Sequence, residues 1–486
     1  MIPVQADVSY VRDDVRAKLD DWALIRDCIA GQRAIKDGGV TYLPMPNPTD
    51  TSAQNVTRYL QYLQRAVFYN VTRHTHTGLT SLAFIDEPTI TMPDSLADML
   101  VDVDGAGVTL LQQMQSVLGQ VTAFGRCGLL ADYPAVNKTI SRAEMQDGLW
   151  VRPIIRTYAP ENIINWRTMS IGARSVPCLI VLSETYDVIG SDGFSVTRAK
   201  QWRVLQLLPT TRGGLQHVVT IFQDSDKGKQ AVAQFVVRDT NGVPLQYIPF
   251  VAIGSQNNDL GVDDPPMLDL ATMNIAHYRN SADYEESVFM CGQPTPTVTS
   301  MTKEWWEDIL NKTIRLGSCS AVPLPAGSTL QLVQPSPNGL VREAMQDKER
   351  QMVALGARLI QSREVQRTAT EARIETASEM SVLTTCANNV ASGYQQALTW
   401  ASQFIPGASG EITVDIHANA ALDRLSPAER QQLIADLQAG TLSWSEVRTQ
   451  LRRDGVASLD DTIAAAEIAA RKKLQQSPAV QAPTQQ

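Results

Sequence analysis

The chain has 486 residues, more than one hydrophobic core usually holds, and its 43% hydrophobic and 19% charged content is that of a folded protein of two to four substructures. A net charge of −9 excludes a protein whose main task is gripping nucleic acid, because phosphate binding needs clustered Lys and Arg; it leaves room for a surface past which DNA slides. Six cysteines (Cys28, Cys127, Cys178, Cys291, Cys319, Cys386) lie far apart with no CxxC, which excludes closely paired zinc ligands and points to reduced thiols in a cytosolic setting. Met1 to Asp21 carries five aspartates and no apolar core, so it does not read as a signal peptide. No stretch approaches the roughly 20 apolar residues of a membrane span.

Tyr10–Ala30 predicts a helix, with Val11, Val15, Leu19, Trp22, Ile25 and Ile29 at steps of three and four. Gly38-Gly39 breaks it, and Tyr42-Leu43-Pro44 with Pro46 and Pro48 reads as a loop. A second helix is expected from Ser52 to Asn70 with Val56, Tyr59, Leu63 and Val67 on its apolar face, and Val71–Phe84 continues it to a turn at Asp86-Glu87-Pro88. Thr109–Phe124 is another amphipathic helix, ended by Gly125. Then the period changes. Cys127–Asp132, Val151–Thr157, Cys178–Tyr186, Gln201–Leu208, Gln216–Phe222 and Gln234–Arg238 are β-branched-rich runs bounded by Gly, Pro and Asp, and predict a mostly antiparallel sheet.

Pro265 to Phe404 is the part around which the rest is organised. Pro265-Pro266 opens a long helix to Cys291, a second runs Leu340–Ile360, and a third runs from Arg367 to a stop at Pro406-Gly407. At 1.5 Å per residue the first would span roughly 40 Å and the third roughly 55 Å. The third carries a stripe of Met380, Leu383, Ala387, Val390, Tyr394, Leu398 and Ala401. Between the first two lies a compact module with strand-like Thr295–Thr299, a short helix Thr302–Lys312, and β-like Ser320–Leu324 and Leu330–Val333. Ile412–Ile416 alternates as a strand. Three short helices follow, opened by Ser426-Pro427-Ala428-Glu429, Ser443-Trp444-Ser445-Glu446 and, more weakly, Ser458-Leu459-Asp460-Asp461; Gln475–Gln486 is a Gln/Pro tail with nothing to bury.

The chemistry is sparse. There is no GxxxxGK[ST], GxSxG or HExxH, and Gly125-Arg126-Cys127-Gly128 reads as a backbone turn rather than a phosphate loop. His74 and His76 on a helix point apart, which disfavours a metal. Asn257-Asn258-Asp259 with Asp263-Asp264 offers oxygen ligands without the spacing of a calcium loop, and a solvated turn is the simpler reading. His277 with Asp283, Glu285 and Glu286 lies on a long helix whose carboxylates solvate it. No cofactor is implied, and the chain does not read as an enzyme. The polar link around Arg363 and Arg367 is either a plain interhelix loop or a loop projecting into a channel.

Several stretches resemble a portal-protein family of tailed bacteriophages and prophages, long catalogued as a domain of unknown function. They are Pro265-Pro266-Met267-Leu268-Asp269-Leu270-Ala271 and the run Asn274-Ile275-Ala276-His277-Tyr278-Arg279-Asn280-Ser281-Ala282-Asp283-Tyr284-Glu285. Arg65–Asn70, Gly125–Pro134, Asn162–Trp166, Gly356–Leu359 and Thr368–Ala372 fit in order, and the likeness covers roughly residues 30 to 420. The resemblance implies an α+β portal fold. Its parts would be a mixed wing (1–264 and 371–418), stem helices (265–291 and 339–361), a clip (292–338), a channel loop (362–370), a helical crown (419–474) and a disordered tail (475–486).

It also implies a ring of about twelve subunits at one capsid vertex of a virion, assembled in the bacterial host cytoplasm. Double-stranded DNA would be packaged and ejected through the ring. Its partners would be the terminase large subunit, head-completion or adaptor and tail proteins, and the major capsid protein with its scaffold; no membrane is implied. On that reading Arg363 and Arg367 touch DNA from the channel loop. Asp269, Asp283, Glu285 and Glu286 give a channel or intersubunit stem face that does not bind phosphate. Trp305, Trp306 and Ile309 form a clip patch, buried against a neighbour or adaptor or else in the module's private core. The rival readings are another multimeric virion protein, such as a head–tail adaptor or minor capsid protein, and an unrecognised hydrolase.

Overall fold

The computed structural model describes residues 7–133, 152–210, 213–225, 228–292, 295–300, 302–312, 314, 322–333, 339–359, 381–408, 410–418, 431–433, 435–437 and 443–453. The expected helix at Tyr10–Ala30 is interrupted. A single turn, Asp13–Arg16, precedes α1 (Leu19–Ala30), because Arg12 is extended and its N–H donates to Ile164 O at 3.0 Å. α2 (Ala53–Arg65) starts at Ser52, whose hydroxyl accepts the Asn55 N–H. It ends at Arg65, five residues short of Asn70: Ala66 is extended, and the Asn70 side chain caps a separate helix, α3 (Val71–Ala83), by accepting the Arg73 N–H. The buried face of α2 is Asn55, Tyr59 and Tyr62, while Val56 and Val67 are exposed. Polar tips explain the rotation from the expected face. Asn55 donates to Asn47 O and Asp50 O, and the Tyr62 hydroxyl to Asp283, so both can be buried satisfied.

A short strand, β1 (Thr89–Thr91), leads to α4 (Leu110–Phe124), which opens on a reciprocal capping box between Thr109 and Gln112. Gly125 ends it at φ 77°, where an added Cβ would lie 2.9 Å from Asp264 O. β2 (Arg126–Asp132) follows, buried at every residue, in the centre of an antiparallel sheet ordered β3 (Ile154–Tyr158), β2, β9 (Phe250–Gly254). A five-stranded antiparallel meander joins them: β4 (Ile163–Ile171), β5 (Arg174–Ile189), β6 (Val196–Pro209), β7 (Leu215–Ser225) and β8 (Gly228–Val236). Alternation puts Ile180, Leu182, Leu205 and Val219 on one face and Leu179, Val181, Trp202 and Val204 on the other, under Val8.

Arg203 stitches the two sheets. It reaches Asp132 on β2 at 3.2 Å and Glu184 on β5 at 2.8 Å; Tyr158 donates to Glu184 and Arg156 to Asp132. Burial alone would raise the Glu184 carboxyl, but the Arg203 charge and the Tyr158 and Gln201 hydrogen bonds hold it below its usual value. His217 on β7 is buried with neither ring nitrogen hydrogen-bonded among the described residues, and burial pushes its pKa down to about 3. Between pH 6.5 and that value the unfolded chain binds the proton and the folded chain does not, so stability should fall as the pH falls. One unit below 6.5 the loss from this residue should be about 1.4 kcal/mol. Thermal melts between pH 7.5 and 5.5 should show it, and His217→Phe should flatten that dependence.

α5 (Leu268–Gly292) and α6 (Gly339–Arg358) pack against each other and bracket a small module containing the antiparallel pair β10 (Thr295–Val298) and β11 (Leu330–Val333). α7 (Val382–Ser402) carries the predicted stripe into the main core. Leu383, Ala387, Val390, Tyr394, Leu398 and Ala401 are all buried against α4, β2 and β9. The Tyr394 hydroxyl donates to Gln113, which in turn donates to Ile155 O, so the polar atoms at the centre of this core are partnered. α7 begins at Val382 rather than Arg367. Ser381 is extended (φ −62°, ψ 156°) and its hydroxyl accepts the Thr384 N–H at 3.1 Å. Met380 lies outside the described residues. β12 (Thr413–Asp415) takes the expected strand position and pairs antiparallel with β1. Of the C-terminal helices, Trp444–Arg453 is described; the boxes at Ser426 and Ser458, and the tail, lie outside the described residues. The class is mixed α+β, as expected.

Candidate assembly surface on the two-helix arm

The turn that launches α5 is held from three directions. Arg126, buried and stacked 4.3 Å over Trp166, donates to Leu260 O; Lys18 pairs with Asp264 at 2.7 Å; Asn258 donates to Asn389 O while Asn389 donates to Gly254 O. Burial lowers the Arg126 pKa to about 10. The acidic oxygens of this loop close turns: Asp263 accepts the Gln256 N–H and the Ser255 hydroxyl, and Asp259 the Gly261 N–H. Among the described residues no group of three or more His, Cys, Asp or Glu is placed to hold a metal, and no helix is long and apolar enough to cross a membrane. His76 donates to Gly119 O at 3.0 Å. The Cys28, Cys127 and Cys386 thiols are buried, which pushes each up to about 12 and keeps it protonated.

The run Asn274–Asp283 is a set of fasteners. Asn274 is fully buried, donates to Tyr69 O and accepts the Thr72 N–H and hydroxyl. Ser281 donates to Val67 O and accepts the Val67 N–H, and Arg279 donates to Tyr42 O. Asn274 and Ser281 hold the corner between α2 and α3 against α5, and Arg279 ties down the chain ahead of α2. His277 faces α6 instead, 3.3 Å from Glu349; burial lowers its pKa against the opposing pull of that carboxylate.

The four carboxylates singled out on α5 divide. Asp283 accepts from the Tyr62 hydroxyl at 2.6 Å, and Glu286 is paired with Arg65 and lies 3.8 Å from Arg58, so both are committed to α2 of the same chain. Asp269 is exposed and Glu285 half-buried. The far end of the arm is apolar: Val288, Met290 and Leu340 are exposed, Phe289 is exposed beyond the Arg65 guanidinium that stacks 4.4 Å over its ring, and Val353 is 69% exposed farther along α6. In the module, Trp305 and Trp306 are half-buried and Ile309 is 51% exposed. They lie on a π turn, Trp305–Ile309, closed by Leu310 N–H to Trp305 O, which widens the pitch and turns Leu310, rather than Ile309, inward. Trp305 donates to Pro323 O at 3.0 Å. Arg363 and Arg367 lie outside the described residues. The described residues on either side of them meet: Leu383 N–H donates to Leu359 O at 3.2 Å.

Sequence reasoning missed the partners of Asp283 and Glu286. Tyr62 and Arg65 sit three residues apart on α2, as the two acids do on α5, and that matched spacing was the available signal.

Residues 266–405, from the start of α5 to just past α7, match a family described as a domain of unknown function (DUF4055), which covers less than a third of the chain. No curated protein sequence matches. Among solved structures, the chain is similar to one in the neck of an empty GTA particle computed with C6 symmetry, at 16% identity and a TM-score of 0.41, over 81% of this chain and 91% of that one. At that score two chains need not share a fold.

Proposed function

We propose that this chain is the portal subunit of a tailed bacteriophage or prophage, a non-enzymatic component of the virion. About twelve copies would form a channel at one capsid vertex. The observation that carries the reading is the paired arm α5–α6, which brackets a small module and ends in exposed Val288, Phe289, Met290 and Leu340. An apolar collar on a projecting helix pair needs covering, and copies of the same arm around a ring would cover it. The resemblance of residues 265–285 to the portal family supports the same assignment.

In this reading Asp269 and Glu285 contribute to a channel or intersubunit face that does not bind phosphate, while Asp283 and Glu286 hold the arm to its own body. Ile309 with the flanking Trp305 and Trp306 meets a neighbour or an adaptor protein. The ring docks the terminase large subunit during packaging and head-completion or tail proteins afterwards, and sits among major capsid protein and scaffold. Arg363 and Arg367 make transient contacts with the DNA backbone from a loop near the axis.

Negative-stain electron microscopy of the purified protein tests the reading: rings with a central hole are expected, and a stable monomer would exclude it. The double variant Arg363→Glu/Arg367→Glu should form rings like the parent but package or retain less DNA. Normal packaging by that variant would remove the two arginines from the mechanism and leave the ring intact.

A further inference from the structure

The hairpin β5–β6 outruns the body it belongs to. β7 pairs with β6 from Gln201 to Pro209, so the outer pairs Thr185↔Lys200 to Ile189↔Val196 stand as a two-stranded ribbon. Beyond Glu184 and Gln201 none of its residues is buried, which carries the tip about 20 Å past the core at a strand's rise per residue. Such a ribbon is marginal in water unless something covers it. Its tip is nevertheless tightly built. Asp192 accepts the Phe194 N–H, the Ser195 N–H and the Ser195 hydroxyl, and these bonds hold its carboxyl below the usual range. On this fixed turn Phe194 is 91% exposed, with Val188, Ile189 and Val196 exposed behind it.

Elsewhere on the same chain an open cleft of about 410 Å³ lies between α1, α3 and α4. Ile29 and Phe124 give it an apolar lining, and Arg26 and His76 are its ionisable groups. Arg26 sits 5.3 Å over the Phe124 ring and pairs with Glu161, and Arg73 stands beside it, donating to Ile29 O, so the surroundings are net basic. The Gln120 side-chain oxygen is buried in the wall with no donor among the described residues.

We infer that Phe194 of one copy seats in the α1–α3–α4 cleft of the next copy, with Asp192 facing Arg26 and Arg73. The inference rests on the ring reading. An aromatic on a rigid turn gives large contact area at low entropic cost, and an anionic tip entering a basic surround adds charge complementarity. A knob and a cleft on different parts of one chain form a head-to-tail contact, the kind that closes into rings. A tip-to-tip contact would stop at dimers.

The test is disulfide trapping in the full-length protein. Ser191→Cys beside the knob and Ser116→Cys on the cleft, combined in one chain, should give a reducible ladder of dimers, trimers and higher species under mild oxidation. A mixture of the two single variants should give dimers only. Each single variant alone should stay at the background of the native cysteines. Phe194→Ala, at so exposed a site, should melt like the parent yet associate about tenfold or more weakly. If the double variant forms rings but gives no ladder, the seating is wrong and the ring reading stands. If Ser191→Cys alone cross-links to itself, the contact is tip-to-tip and the inference fails. If the parent is monomeric, both readings fail together.

Discussion

Replacing Arg203 with Met should lower stability by about 3–5 kcal/mol, the usual cost of removing one partner from a buried ion cluster. The guanidinium satisfies Asp132 and Glu184 together, and all three side chains are largely out of solvent. Without it, two carboxylates remain buried on adjoining sheets, with Arg156, Tyr158 and Gln201 left to share them. The pH dependence separates this cause from simple loss of packing. In the parent, Glu184 has a depressed pKa, so its contribution is present above the ordinary carboxylate value of 4.5 and is lost as the pH falls through the folded value. In the variant the acids gain by taking up protons, so the deficit relative to the parent should shrink between pH 7 and pH 4. Urea unfolding midpoints across that range measure both. A deficit independent of pH would mean that Arg203 matters for its bulk.

Asn274→Ala should cost about 3 kcal/mol, since it leaves the Tyr69 carbonyl and the Thr72 N–H and hydroxyl without their buried partner. The damage should be local. Those groups lie at the corner between α2 and α3, so hydrogen exchange should accelerate first at residues 66–72, and protease should nick the chain there. Asn274→Asp keeps the acceptor oxygen but loses the donor and adds a buried charge, and should be no better than Ala. The variant also bears on assembly, because the corner braces α5. Rings that form normally despite rapid exchange at the corner would show that the brace serves folding and not the placement of the arm.

These two sites show where sequence was a sufficient guide and where it was not. The α7 stripe was legible because a helix buried along one side must repeat apolar residues every three or four positions, and Leu383 to Ala401 do so without interruption. Four strands of the meander were legible as β-branched-rich runs bounded by Gly, Pro and Asp, but β4 was missed, and β5 and β6 run farther than their hydrophobic centres into outer halves that are largely exposed. The arm and its module were legible from helix length and proline placement. The corner at Ala66–Asn70 was not: it depends on Ser281 binding both polar groups of Val67, a contact 214 residues away in sequence. Likewise Asp283 and Glu286 read as solvated helix surface, because the residues that bind them lie 221 positions upstream. The start of α7 was missed for a local reason. Ser381 caps it through Thr384, without the acidic or amide residue that completes a capping box.

The hydrogen bond from Leu383 N–H to Leu359 O fixes the two ends of the intervening 23 residues beside each other. Leu359 and Leu383 are therefore adjacent within the folded body, and the entropy of joining two such points grows slowly with the length of the connection: each doubling of a flexible one adds only about 0.6 kcal/mol. A connection of different length or charge between these two points would therefore leave the core that α7 completes as it is. Chimeras that exchange residues 360–380 between related chains should fold as readily as their parents, which makes this segment the natural place to retune the protein without rebuilding it.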